Sequence, residues 1–278
     1  MVFRMSGNGG FIGIDRRLAD PSSAFAGVST ISQNFLEDTV PQDDLIVWLV
    51  SSDLDTTHDD GDAVTTWSNR VDSDNGFTQS WSIKRPIFRD NIVNGQPALE
   101  FTDSEWLESQ SDIAPENCTI FYVLIQDNAD NDRTYLFCYS TANSYNYWSQ
   151  YYNAGGDQGK FLWRTTGSDY ARMFNTDDLR GQWYIGEINW RLGGFSHSFD
   201  FFINGDWLKV DYVSDNTSDS MDKWRIGHNR GGSSGYGLDG YVAEYLVYGT
   251  RLSEHLRRRV RDYLSKKYSI DLYGGITY

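Results

Sequence analysis

Residues 238–248 read Leu238-Asp239-Gly240-Tyr241-Val242-Ala243-Glu244-Tyr245-Leu246-Val247-Tyr248, and Leu252-Ser253 follow shortly after. Tyr241–Tyr248 is dominated by aromatic and branched apolar residues, with one charge, Glu244. Such a run suits a buried strand. Beyond it the period changes. Leu256, Val260, Tyr263, Leu264 and Tyr268 fall at offsets of 4, 7, 8 and 12, one helical stripe. Ser253 stands where a hydroxyl can cap the first turn. Arg257, Arg258, Arg259, Arg261, Lys266 and Lys267 cover the other faces. A basic helix can serve nucleic acid or a membrane. The reading here is a solvated outer face on a helix docked to a sheet.

Upstream, the chain reads as short strands between turn residues. Leu45–Val50 and Thr119–Gln126 are apolar runs. Val64–Trp67 is a short strand, and Asn94-Gly95 turns into Pro97–Phe101. Tyr135–Tyr139 is read as a neighbour of the 119–126 strand. Trp183–Trp190 and Ser198–Ile203 follow. In the latter, Phe199, Phe201 and Ile203 share one face and Phe202 breaks the alternation. Asn204-Gly205 then opens a return run, Trp207–Tyr212. Asn-Gly between two such runs is a strong hairpin signal, because both residues tolerate positive φ. Trp224–Gly227 completes the set. Many short strands with one helix imply a sandwich or barrel.

Composition agrees. Ten Trp, eighteen Tyr and fifteen Phe stand against four Met, and 39% of the 278 residues are hydrophobic. The net charge of −15 opposes binding to a phosphate backbone or an anionic bilayer. The longest apolar runs have six residues, whereas a spanning helix needs about twenty. The two cysteines, Cys118 and Cys138, read as buried free thiols rather than a disulfide framework. Met1–Gly10 has no apolar core of a secretory signal.

Residues 1–42 differ from the rest. Gly, Ser and Pro are frequent, and the large apolar residues come mostly singly. Phe11, Ile12, Ile14, Phe25, Ile31 and Phe35 are too many for a spacer, so the segment reads as an extended arm that orders against a partner, the alternative being a disordered leader. Pro41 marks the boundary, with one domain expected over 43–278.

Taken together, Leu45-Ile46-Val47-Trp48-Leu49, Val64-Thr65-Thr66-Trp67, Asn94–Phe101, Phe201–Gly205 and the 238–268 close resemble concanavalin A-like (laminin-G-like) jelly-roll domains. The resemblance spans about residues 43–272 and implies an all-β fold. It would have two stacked antiparallel sheets in a jelly roll, with one short C-terminal helix. Gly10-Phe11-Ile12-Gly13 is similar to the N-termini of structural proteins of tailed bacteriophages. That similarity implies that residues 1–42 attach the domain to other virion proteins.

The fold hosts lectins, adhesion modules and glycan-cleaving enzymes, so the fold alone does not name the function. The Glu-x-Asp-x-x-Glu triplet of its glucanases is missing. Glu105 and Glu108 are three apart and would point to opposite faces of a strand. Glu187 and Glu244 each stand alone, and His58, His197, His228 and His255 lack metal-ligand spacing. No catalytic residue is assigned. Asp53, Asp55, Asp59, Asp60 and Asp62 cluster within ten residues. They are the candidate ligands for calcium, the one cofactor the sequence raises, and otherwise read as solvated turn residues.

Sugar binding needs exposed rings beside amides and carboxylates. Tyr145, Tyr147, Trp148 and Tyr151, interleaved with Asn and Gln, are candidates, as is Tyr236 in a Gly/Ser-rich loop. The rival reading makes the tyrosine run a plain strand or a subunit interface. The functional expectation is a non-enzymatic virion protein, a tail fibre or capsid decoration. Its jelly roll would contact host-surface glycan, and it would form a homo-oligomer in the particle. The alternatives are a stand-alone lectin module or a degenerate polysaccharide hydrolase or lyase.

Overall fold

The structure is a computed structural model. It describes residues 40–113, 117–126, 133–139, 147–153, 158–165, 168–175, 179, 181–193, 196–208, 223–228 and 237–272. The side chains of 133–175 and of 191–199 lie outside that description. So do the arm residues Phe11, Ile12, Ile14, Phe25, Ile31 and Phe35, as well as Tyr145 and Tyr236.

In chain order the strands begin with β1 (Leu45–Val50), β2 (Thr66–Trp67), β3 (Phe77–Thr78), β4 (Ile87–Val93) and β5 (Gln96–Thr102). There follow β6 (Leu107–Ser109), β7 (Asn117–Gln126), β8 (Arg133–Tyr139), β9 (Tyr147–Asn153), β10 (Gln158–Thr165) and β11 (Ser168–Asn175). The last are β12 (Tyr184–Gly193), β13 (Ser196–Ile203), β14 (Asp206–Leu208), β15 (Lys223–Ile226) and β16 (Asp239–Tyr248), before helix α1 (Glu254–Tyr268). One sheet has the order β14-β13-β12-β7-β16-β5-β4, with β1 also paired to β16. The other runs β11-β10-β9-β8-β15-β6-β3-β2. Every ladder is antiparallel. The expected two-sheet jelly-roll sandwich is the observed architecture.

β16 organises the first sheet. Along one edge it pairs with β7. On the other side Asp239–Val242 pair with β5 and Glu244–Val50 begins the ladder with β1. Being central, β16 is buried along nearly its whole length. β7 is buried on both faces, which explains its unbroken apolar run. Ile120, Tyr122 and Leu124 join the core between the sheets, with Trp67, Phe77, Leu107, Trp224 and Ile226. Phe121 and Val123 face the other way, into a second core with Val260, Leu264 and Tyr268 of α1. Burying side chains of this size contributes about 1.5–3 kcal/mol each.

The expected hairpin at Asn204-Gly205 is present, with φ of 49° and 88°. Asn204 adds a further tie, since its Oδ1 accepts from the Ile185 amide at 2.8 Å. Ser253 caps α1, its hydroxyl accepting from Leu256 N.

Two expectations need correction. Tyr135–Tyr139 lies in β8, which belongs to the second sheet and pairs with β9 and β15, not with β7. The chain crosses between sheets after β7, and local apolarity does not reveal a crossing. The basic face of α1 is not wholly solvated. Arg257, Arg261 and Lys267 keep only 12%, 7% and 16% of their side-chain surface, because they turn toward buried carboxylates of the sheet.

Those carboxylates are Glu187 and Glu244, 1% and 0% exposed. Glu187 takes Arg257 at 2.5 Å and Arg261 at 3.0 Å, and both cations also reach Glu254. The same cations cover Phe202, whose ring centroid lies 4.7 Å from the Arg257 guanidinium. Phe202 breaks the apolar alternation of β13 because it faces the helix rather than the other sheet. Among the described residues, no helix is long and apolar enough to cross a membrane. Cys118 is a buried free thiol, and burial pushes its ionisation upward; the side chain of Cys138 lies outside the described residues.

Candidate functional site

The second sheet carries an open cleft on its outer face. Alternation along β3, β6 and β15 makes that face. Phe77, Leu107, Trp224 and Ile226 point into the core. Their neighbours Thr78, Glu108 and Arg225 line up on the opposite side, Thr78 paired with Glu108 and Glu108 with Arg225. Cross-strand partners share a face. Against this row leans the segment 79–85, which includes a 3-10 turn at Ser82–Lys84. Between them is a cavity of about 520 Å³, lined by Thr78–Trp81, Trp106, Glu108–Gln110 and Lys223.

The segment is held rather than loose. Gln79 Oε1 accepts from the Trp81 amide at 3.0 Å. Arg85 donates to the Gln79 and Ser80 carbonyls, both at 3.0 Å. The Trp106 amide donates to the Lys84 carbonyl at 3.1 Å. Trp81 is thereby displayed on a braced support, 64% exposed, with Ile83 beside it at 79%. Its ring meets Trp106 edge-on at 6.2 Å. Trp106 is fixed further by Arg225 stacked 4.8 Å from its ring centre and by the buried His228 at 6.0 Å.

Charges at the cleft are internally matched. Arg225 donates to Glu108 at 2.5 and 3.0 Å. Lys223 pairs with Asp112 at 3.0 Å and donates to the Gln110 carbonyl at the same distance. By contrast, the Thr78, Ser80 and Gln110 side chains have no partner among the described residues. An exposed indole beside hydroxyl and amide groups can stack one face of a sugar ring and hydrogen-bond its hydroxyls.

The tyrosine run reaches the same sheet. Tyr147, Trp148 and Tyr151 lie in β9, two strands from β15, so the segment is a strand and not a loop. In register, Tyr147 pairs with Tyr139 and Tyr139 with Lys223.

The acidic residues 53–62 are dispersed. Asp53 is taken by Arg70 in two bonds of 2.6 and 2.7 Å. Asp62 accepts from the Asp59 amide, and Asp60 from the Asp90 amide. Desolvation, then Asp90 and Asp53, raises the pKa of Asp55 from its ordinary value. Among the described residues, no three His, Cys, Asp or Glu side chains converge as a metal site would require.

Sequence reasoning missed Trp81, Trp106, Gln110 and Lys223. The available signal was two tryptophans in polar, turn-like surroundings, Ser80-Trp81-Ser82 and Ser104-Glu105-Trp106. Their convergence depends on β3 pairing with β6 across 28 intervening residues, and spacing does not announce it.

No protein-family model and no curated protein sequence matches the chain. Solved structures do. The sialidase of Trypanosoma rangeli, in complex with sialic acid, superposes with a TM-score of 0.54 at 12% identity. That match covers 88% of this chain and 38% of the sialidase. The fold is a two-sheet jelly-roll β-sandwich. The CBM40 of Ruminococcus gnavus IT-sialidase, bound to α2,3 sialyllactose, matches at a TM-score of 0.43 and 15% identity, covering 57% of this chain and 92% of that one. A SAP-like pentraxin of Limulus polyphemus matches at 0.44 and 14%, covering 56% and 77%.

Proposed function

We propose that this chain is a non-enzymatic glycan-binding module and that the outer-face cleft is its site. The observation that carries the reading is Trp81: a large indole, 64% exposed, on a braced turn at the mouth of a polar cavity. Trp81 and Ile83 lie side by side in the open, an apolar patch rimmed by polar groups of the kind that serves as a binding surface. The cleft's carboxylate supports binding rather than cleavage, since Glu108 is committed to Arg225. Glu105 is likewise occupied, accepting from the Thr102 and Ser104 amides.

The setting we propose is a bacteriophage particle, with residues 1–42 as the attachment arm and host-surface glycan as the target. This rests on the Gly10-Phe11-Ile12-Gly13 leader and on the apolar residues after it. Binding of the full chain to a glycan array, together with an assay for reducing-end release, tests the first part. Retention of specific glycans without release is the expected result. Absence of any binding, or release of reducing ends, contradicts it. Deleting residues 2–42 tests the second part: the shortened chain should fail to join particles, and its incorporation would contradict the arm.

A further inference from the structure

The net charge of −15 hides a local pattern at the cleft. Four cations lie at or beside it, and Lys223, Arg225 and Arg85 are held by hydrogen-bonded partners. Lys223 is held by Asp112 and by the Gln110 carbonyl. Arg225 is held by Glu108 and lies flat on Trp106. Arg85 spends its guanidinium on the Gln79 and Ser80 carbonyls. Lys84 stands 5.8 Å over the Trp106 ring.

An anionic sugar seated against Glu108 and Gln110 would have to take Arg225 or Lys223 from its partner. Taking Arg225 would strand the Glu108 carboxylate, whose side chain is only 28% exposed. Leaving such a charge unpaired is expensive. Releasing Lys223 from the exposed Asp112 costs little by itself, but two backbone carbonyls, Ser109 and Gln110, also hold its ammonium. The groups that await a ligand are neutral: the Thr78 and Ser80 hydroxyls and the Gln110 amide.

We infer that the cleft selects uncharged sugars, neutral hexoses or N-acetylhexosamines, and discriminates against glycans ending in a carboxylate or sulfate. Glu108 sets this preference by filling the position on Arg225 that an acidic sugar would need. The inference rests on the glycan-binding reading above.

The test uses the full chain on matched glycans that end in a neutral sugar or carry a terminal sialic acid, uronic acid or sulfate. Each pair is measured at about 0.05 and about 0.5 M salt, because screening weakens only charge-dependent binding. Neutral ligands should bind at least about tenfold tighter than their acidic partners, with less than about a twofold change in Kd between the two salts. A preference for the acidic glycans, weakened by salt, overturns this inference while leaving glycan binding intact. Failure of every glycan to bind overturns both.

Discussion

Lys267 of α1 places its ammonium 2.7 Å from the Glu244 carboxylate at the centre of the first sheet. Glu244 is fully buried. It also accepts from Trp48 Nε1 and from Tyr268 Oη, each at 2.7 Å. A buried carboxylate survives when it is paired and hydrogen-bonded. The helix thus supplies the countercharge that lets a glutamate sit mid-strand. Tyr263 and Tyr268 feel the same site: burial, then Glu244, pushes both phenols well above their usual range.

Removing one partner should therefore cost more than removing both. Lys267→Met leaves the buried Glu244 without its countercharge, and is expected to cost about 3–5 kcal/mol. The double variant Glu244→Leu with Lys267→Met should recover much of that loss. Urea denaturation of the two single variants and the double completes the cycle. Additive losses would show that the pair does not act as a unit.

Glu187 makes stability depend on pH in a defined direction. Desolvation raises its pKa, outweighing the lowering by Arg257 and Arg261. Its folded value thus lies above its unfolded one. The stability it contributes is full below the unfolded value and is lost as pH rises through the folded value. Glu187→Gln should remove that decline, so wild type should lose stability relative to the variant as pH rises from about 4. Parallel denaturation curves upward from that pH check the sign. A wild type that gains on the variant as pH rises would show that the arginines dominate.

Gly186 has no room for a methyl group. A Cβ there would overlap the ring of Tyr122 on β7, directly across the ladder. Gly186→Ala should cost about 1–3 kcal/mol through overpacking. A drop in melting temperature with retained sheet signal in circular dichroism is expected. An unchanged melting temperature would mean that Tyr122 can move aside freely.

The sheets were largely legible because their strands carry local signals. Leu45–Val50 coincides with β1, and Asn204-Gly205 makes the hairpin. β10 and β11 escaped notice, since Gln158–Thr165 and Ser168–Asn175 mix charged and apolar residues without clean alternation. The cleft was not legible. Trp81 and Lys223 are 142 positions apart, and the β3–β6–β15 pairing that unites them is a long-range event. The ion pairs of α1 were hidden for the same reason. Glu187, Glu244 and the arginines were each visible, but only the docking of helix on sheet joins them.

The measurement that bears most directly on the account is Trp81→Ala in the full chain, with glycan affinity and melting temperature read on the same sample. Trp81 is exposed, so its loss should leave the melting temperature nearly unchanged. Affinity for the glycan that wild type binds best should fall at least about tenfold, about 1.4 kcal/mol. Undiminished binding by the variant would contradict the assignment of this cleft as the glycan site.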